Sequence, residues 1–356
     1  MPSTKGYHSY HGKTGAGRII LIVLLCLILF AAIGFLIVQR FAVYGADGSV
    51  RFELPWGRKT PDTEQTQTPD PAASDKAGEL EIVVDEPEQT APTELHAVEL
   101  DESVLRGSAE TVLAGLGEDV NAVAVRVKNT RGELLYNSQL TAAAEAGAVA
   151  GSSISRAAID DLTGSGYYTL ARISALHDSL YSYAHMTDAA ILQLNHPGYI
   201  WYDPDSTFYL APEKPLARQY LADIAQECAQ MGFDELLFDS FGYPPGGRLS
   251  NIDTSGRTMS MQEALSLLAD ELRESVKEQG VKLSVELDAE MVFSGGNDKT
   301  GQSLPLLAEK FDRIYVRTTA EELPALRSAV EPYEVELVPI LTEAAGSGSY
   351  LVSAQN

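Results

Sequence analysis

The stretch Met231-Gly-Phe-Asp-Glu-Leu-Leu-Phe-Asp-Ser-Phe-Gly-Tyr-Pro244 decides the fold. It reads as the end of a helix, a glycine stop, a short buried strand and an acidic residue at the strand's C-terminal tip. Side chains alternate across a strand, so Leu236 and Phe238 share one face and Asp239 lies on the other. In a parallel α/β barrel such a tip is where chemistry is housed. A strand that merely hands over to a loop through an Asp gives the same local pattern, so the neighbouring segments must separate the two readings.

Outward from this strand, short apolar runs alternate with helical ones. Upstream, strands are expected at residues 96–100, 121–128 and 167–175, with helices over 108–115, 153–162 and 214–231. Downstream, strands are expected at 282–288, 313–317, 334–341 and 350–353, with helices over 259–279, 304–311 and 320–330. This rhythm predicts a (β/α)8 TIM-like barrel. The chain ends where a last helix belongs, so a barrel without it is the expected form. A doubly wound open sheet is the alternative, but no Gly-x-Gly-x-x-Gly follows the first strand, which argues against a dinucleotide-binding version.

In Asn121-Ala-Val-Ala-Val-Arg-Val-Lys128 the valines line one face, while Ala122, Ala124, Arg126 and Lys128 line the other. The same alternation turns Ser284, Glu286 and Asp288 inward on the fifth strand, Arg313, Tyr315 and Arg317 on the sixth, and Arg172 on the third. Charges inside a barrel are costly unless paired or in contact with a polar ligand. One reading is a salt-bridge network that closes the barrel end. The other is a polar pocket holding two acids on neighbouring strands, Asp239 and Glu286, as glycoside hydrolysis needs. In that reading Asp239 is the nucleophile or stabilising carboxylate, Glu286 the general acid/base, and Arg172 orients Asp239. Lys128, Asp178, Asp288 and Arg317 are candidate substrate contacts. Residues 177–211 carry many aromatic residues; there Trp201 or Tyr202 is expected to stack on sugar, with loop packing the alternative. His177, His185 and His196 have no metal-site spacing, so neither a metal nor another cofactor is expected.

The 356 residues include 45% hydrophobic side chains and carry a net charge of -24, which makes nucleic acid a poor partner. Much of the acid precedes the folded region. Residues 19–38 form an unbroken apolar run of bilayer-spanning length, preceded by Lys5, Lys13 and Arg18 and by no acidic residue. By the positive-inside rule the N-terminus stays cytoplasmic and everything after Arg40 lies outside, at a cell membrane. A cleaved signal peptide is the competing reading. The two cysteines, Cys26 in the apolar run and Cys228 on a helix, are not expected to pair. The expected organisation is a basic cytoplasmic tail (1–18), a transmembrane anchor (19–40), an acidic, disordered Pro/Thr-rich tether (41–93) and the barrel (94–356). The expected partners are a glycan and, through residues 19–38, the lipid bilayer. The oligomeric state is open.

Several of these segments are similar to a known family. The strand-two motif with Gly132 and Tyr136, Ala171-Arg-Ile with Asp178, Trp201, Gly232-Phe-Asp-Glu-Leu-Leu-Phe-Asp239 with Pro244, and Gly301-Gln302 resemble the putative glycoside hydrolase domain family of bacterial surface proteins, DUF4015. The likeness covers residues 95–310 and implies a TIM barrel related to the α-amylase-like hydrolases, with Asp239 carried over as a site acid. The chain departs from the family pattern at Arg126, where an Asp is usual, and at Ser240 and Gly242, where Tyr and Arg are usual. Glu286 stands in place of an Asp, and the family's Tyr/His-rich motif is not recognisable near Arg317-Thr-Thr-Ala320. Three functions follow: a membrane-tethered hydrolase of a cell-envelope or extracellular glycan; a catalytically lapsed barrel that binds a glycan or protein; and a purely structural surface protein, which fits the converging charges least.

Overall fold

The computed structural model describes residues 42–44, 50–52, 92–107, 109–149 and 156–353. The chain divides into two units, residues 1–82 and 83–356. In the first, Ala42–Tyr44 and Val50–Phe52 pair antiparallel. The stretch expected as a disordered tether therefore contains a short strand pair, each strand supplying a Val and an aromatic residue, which favour extended backbone. The apolar run 19–38 and the rest of the tether lie outside the described residues. Among the described residues no helix is long and apolar enough to cross a membrane.

In the second unit eight parallel strands close into a barrel, hydrogen-bonded in chain order. They are β1 (His96–Leu100), β2 (Ala122–Lys128), β3 (Tyr168–Ser174), β4 (Glu235–Asp239), β5 (Lys282–Leu287), β6 (Arg313–Arg317), β7 (Glu336–Leu341) and β8 (Tyr350–Val352). β8 completes the ring by pairing with β1, Tyr350 opposite His96 and Val352 opposite Val98. Closure removes the open edges that the alternative sheet would leave. The longest helices, Pro215–Gln230 and Met261–Val276, precede and follow β4. The second starts on a capping box in which Ser260 and Glu263 satisfy each other's backbone N–H groups. No described helix lies between β7 and β8 or follows β8. Ile340 near the end of β7 faces Leu351 in β8, so residues 342–349 have only a short return to make.

Strand alternation divides the core into two shells. Val123, Val125, Val127, Leu236, Phe238, Leu283, Val285 and Leu287 belong to the cluster packed outside the strands. Ala97, Ala122, Ala124, Leu170, Leu237, Tyr315, Val338, Ile340 and Leu351 fill the interior, alanines making room for the larger rings and branched chains. The N-terminal end of the barrel is plugged by a polar lock. Glu235, fully buried, accepts hydrogen bonds from Ser284 (2.6 Å), Tyr315 (2.8 Å), Tyr168 (3.0 Å) and the Arg313 guanidinium (2.5 Å). Arg313 reaches Glu336 on its other side at 2.7 Å. Four donors on one carboxylate offset the cost of taking it out of water.

A second buried pair shapes the start of the long excursion after β3. The register of β2 against β3 shifts between Arg126 and Lys128. A shift of this kind re-aims the side chains beyond it. Lys128 Nζ lies 2.9 Å from Asp178 Oδ2 and donates to the Ser174 carbonyl at 2.7 Å, with both charged side chains fully buried. Asp178 Oδ1 also caps the helix Ser179–Ala184 by accepting from Tyr181 N. Gly132 sits against this carboxylate with φ at 98°, and a Cβ there would fall 2.1 Å from Asp178 Oδ1. Gly132→Ala therefore combines left-handed strain with eviction of a buried ion-pair partner, and should lower unfolding free energy by about 3 kcal/mol or more. Urea denaturation of the variant measures this; a loss below about 1 kcal/mol would show that Asp178 relocates freely.

Candidate functional site

The inner faces of the strands carry charge only at their two ends, and the C-terminal end is the one that opens. Its centre is Arg172, on β3, with a side chain 3% exposed. One Arg172 nitrogen, Nη1, meets Glu99 Oε1 of β1 at 2.5 Å. The other, Nη2, contacts Glu286 Oε2 of β5 and lies 3.6 Å from Asp239 Oδ2 of β4. Asp239 has a closer cation: Arg126 Nη1, from β2, sits 2.7 Å from the same oxygen. Ser240, which follows at φ 52°, donates to Asp239 Oδ1 at 3.2 Å. A non-glycine residue in this left-handed region stores strain, and here it turns the chain sharply behind the acid. Arg317 of β6 lies 3.8 Å from Glu286 and donates to Ser353 Oγ at 3.0 Å.

Burial and charge push the two acids apart. Burial alone raises the Asp239 pKa, but Arg126 and Arg172 together with the hydrogen bonds from Arg126 and Ser240 outweigh it, and its carboxyl titrates below the usual Asp range. For Glu286 burial is the larger influence; the Asp239 charge adds to it, Arg172 opposes it, and the carboxyl titrates above the usual Glu range. A charged Asp beside a Glu inclined to keep its proton is the division of labour that acid/base pairs use.

Both acids line a hollow of 430 Å³, within the size range of small-ligand sites. Asp288, Arg172 and Arg317 line it with them, as the inward alternation predicted. The wall opposite is partly aromatic. His177 stacks on Tyr209 with ring centroids 4.4 Å apart, and both face the hollow. Thr207 Oγ donates to Asp203 at 2.7 Å and so accepts from His177 Nε2 at 2.6 Å. That chain fixes the neutral tautomer with its proton on Nε2, in keeping with a His177 pKa lowered by burial. Gln302 also lines the hollow and donates to the Phe241 carbonyl at 3.0 Å, close beside Gly242. Among the described residues no group of three or more His, Cys, Asp or Glu has the arrangement of a metal site.

Four expected contacts are placed elsewhere. Lys128 and Asp178 do not line the hollow; the register shift in β2 buries them against each other. Trp201 is 1% exposed, donates through Nε1 to the Arg248 carbonyl at 3.1 Å and packs edge-on to Tyr209, so neither ring face is free for a sugar. Tyr202 is exposed and outside the hollow's lining. Arg172 is less the orienter of Asp239 than its shared counter-ion, since Arg126 holds the closer contact. Glu99, His177, Tyr209, Tyr243 and Gln302 also belong to the site but were not among the expected contacts. Glu99 was findable by alternation, two positions after the inward Ala97. The others come from loops or, for Gln302, from a two-residue strand paired with Gly296–Asn297, where no periodicity points to them.

A hypothetical protein from Ruminiclostridium thermocellum ATCC 27405 is 26% identical in sequence, with 53% of this chain and 96% of that chain covered and a TM-score of 0.45. The PgaB (BpsB) glycoside hydrolase domain from Bordetella bronchiseptica is 16% identical over 74% of this chain and 94% of that one, with a TM-score of 0.48. A GH20 exo β-N-acetylglucosaminidase from Vibrio harveyi, in complex with N-acetylglucosamine, is 14% identical over 70% of this chain and 42% of that enzyme, with a TM-score of 0.44. No curated protein sequence matches this chain. Residues 109–317 match the family described as a putative glycosyl hydrolase domain, and the chain belongs to that family, DUF4015.

Proposed function

We propose that this protein is a glycoside-hydrolase-like barrel, anchored in the cell membrane through residues 19–38 with its C-terminal domain outside, that acts on a cell-envelope or extracellular glycan by a two-carboxylate mechanism. The observation that carries the reading is that Asp239 and Glu286, from neighbouring strands and with pKa values pushed in opposite directions, contact one nitrogen of Arg172 and line one open hollow. In this mechanism Glu286 gives its proton to the departing glycosidic oxygen while Asp239 attacks or stabilises the anomeric carbon. Water then displaces the sugar as Glu286 takes a proton back. Two oxygens that contact the same nitrogen are at most about 6 Å apart, a bound that admits the roughly 5–5.5 Å of retaining enzymes. Asp288 and neutral His177 supply polar edges for sugar hydroxyls, and Tyr209 an apolar one.

The second reading is a binding module in a lapsed barrel. The specific observation in its favour is the Arg126–Asp239 pair, which occupies the candidate nucleophile at 2.7 Å.

Three outcomes are expected. Asp239→Asn should lower release of reducing ends from the cleaved glycan by a factor of about 1,000 or more, with the variant still folded and its unfolding in urea still cooperative. If the variant keeps glycan affinity and neither protein turns over, the binding module is the correct reading; unchanged binding and unchanged hydrolysis would place the site elsewhere. Activity should follow a bell in pH, because Asp239 must be ionised and Glu286 protonated. Its acid limb should fall below the usual Asp range and its alkaline limb above the usual Glu range, in line with the opposite shifts of the two groups. Loss of the alkaline limb in the residual activity of Glu286→Gln checks the assignment, and an unaltered limb would refute it. The first product should keep the anomeric configuration of the substrate, as read by NMR during early turnover; inverted product would refute the retaining assignment.

A further inference from the structure

A second hollow, of 540 Å³, adjoins the first, and Arg126, Arg172 and Arg317 line both. These arginine tips are the partition between two halves of one cleft. The second half is completed by the end of β1 and the turn Glu102–Arg106, which brings in Arg106.

The charge in this half-cleft is unusual for so acidic a chain. Its carboxylates are mostly committed elsewhere. Glu99 is held by Arg172 at 2.5 Å, and Asp101 accepts the Ser103 N–H at 2.9 Å as the cap of the turn. Glu102 is the one remaining acid of the lining. The cations keep donors in reserve. Arg106 is exposed and has no ion-pair or hydrogen-bond partner among the described residues. Arg126 uses Nη1 on Asp239 and leaves its other N–H groups without a partner among the described residues. Arg317 is 56% exposed, and its nearest carboxylate, Glu286, lies at 3.8 Å, beyond hydrogen-bond distance. A guanidinium presents a planar fork of donors that matches a carboxylate or phosphate edge, and three forks on one concave wall make a receptor for such a group.

We propose that the second hollow is a subsite for an oxyanion, a carboxylate or a phosphate, carried by a sugar residue next to the one at Asp239 and Glu286. The inference rests on the glycan reading of the cleft and adds its substrate class: an acidic rather than a neutral polysaccharide. Arg106 and Arg317 are the specificity determinants: both stand at the open side, Arg106 lines only the second hollow, and Arg317 borders both without contacting Asp239.

The test uses the full-length chain at low ionic strength and three sugars that differ only at C6: glucose, glucuronate and glucose 6-phosphate. Binding is followed through the arginine Nε–H signals by NMR and by calorimetric titration. At least one anionic sugar should bind tenfold or more tighter than glucose and shift the Arg106 and Arg317 signals; which of the two does so identifies the carboxylate or the phosphate. Arg106→Gln should weaken that binding at least fivefold, while Arg273→Gln, which alters an arginine paired with Asp312 elsewhere, should leave it unchanged. Equal affinity for the three sugars overturns the proposal, as does equal weakening by the two substitutions, which would mean general charge attraction only. Anion binding without cleavage of any glycan keeps this inference and removes the hydrolase reading. Cleavage of a neutral glycan without anion binding does the reverse.

Discussion

One guanidinium holds the C-terminal mouth of this barrel together. Arg172 contacts carboxylates from β1, β4 and β5, three strands other than its own. Without it, Glu99, Asp239 and Glu286 would repel one another by about 3 kcal/mol per pair at ~6 Å and an effective dielectric of 20, so protons would have to be taken up to relieve the repulsion. With it, Asp239 stays charged, and the remaining strain falls on Glu286, where burial and the Asp239 charge outweigh the contact with Arg172. The same cation that closes the mouth thus also sorts the two acids into unlike protonation states. A lysine could not take its place, because a single ammonium cannot direct a rigid fork at carboxylates on different sides of the barrel axis.

The barrel has a charged lattice at each end, and comparing them separates architecture from chemistry. At the N-terminal end Glu235 is saturated by hydroxyls and Arg313 and has no exposure. At the C-terminal end the same kinds of groups remain part-exposed, at 13% for Asp239, 17% for Glu286 and 26% for Arg126, and they border open hollows. Ion pairing by itself therefore says little about function. Spare hydrogen-bonding capacity facing solvent is what a ligand can use, and the C-terminal end has it.

The fold was legible because one rule runs through the strands, with a single break on β2. A period of two, read from Val123, Val125 and Val127 or from Leu283, Val285 and Leu287, told inside from outside and so placed Arg172, Asp239, Glu286 and Arg317 around one axis. The rule failed at Lys128, where a register shift one step earlier turned an inward side chain into a buried partner of Asp178. Trp201 was misread for another reason. Aromatic density in a loop marks either a ligand platform or the loop's own core, and composition cannot distinguish a ring with free faces from one wedged beside Tyr209. Alternation could not place His177 or Gln302 in the hollow, although Gly301-Gln302 stood out by family resemblance, since each enters through tertiary contacts with Tyr209 or Phe241 that no local pattern encodes. Family membership supports a barrel of glycosidase type, but chemistry belongs to the site and not to the fold.

The Arg126–Asp239 contact is the feature that weighs most against turnover, and its energetics limit how much it weighs. Arg126 projects from the tip of β2 with about a quarter of its side chain in solvent, whereas Arg172 is fixed from several directions in the interior. A part-exposed pair of this kind contributes on the order of 1 kcal/mol, far less than a buried one, because water can replace either partner. A sugar entering the hollow brings hydroxyls that solvate the guanidinium, and an anionic substituent next door offers Arg126 a second carboxylate or phosphate to turn toward. Under the proposed hydrolase mechanism the cost of freeing Asp239 is small beside the barrier reduction that a preorganised carboxylate pair would provide. Arg126 lines both half-clefts and holds Asp239 through Nη1 alone, which leaves the rest of its fork without a partner among the described residues.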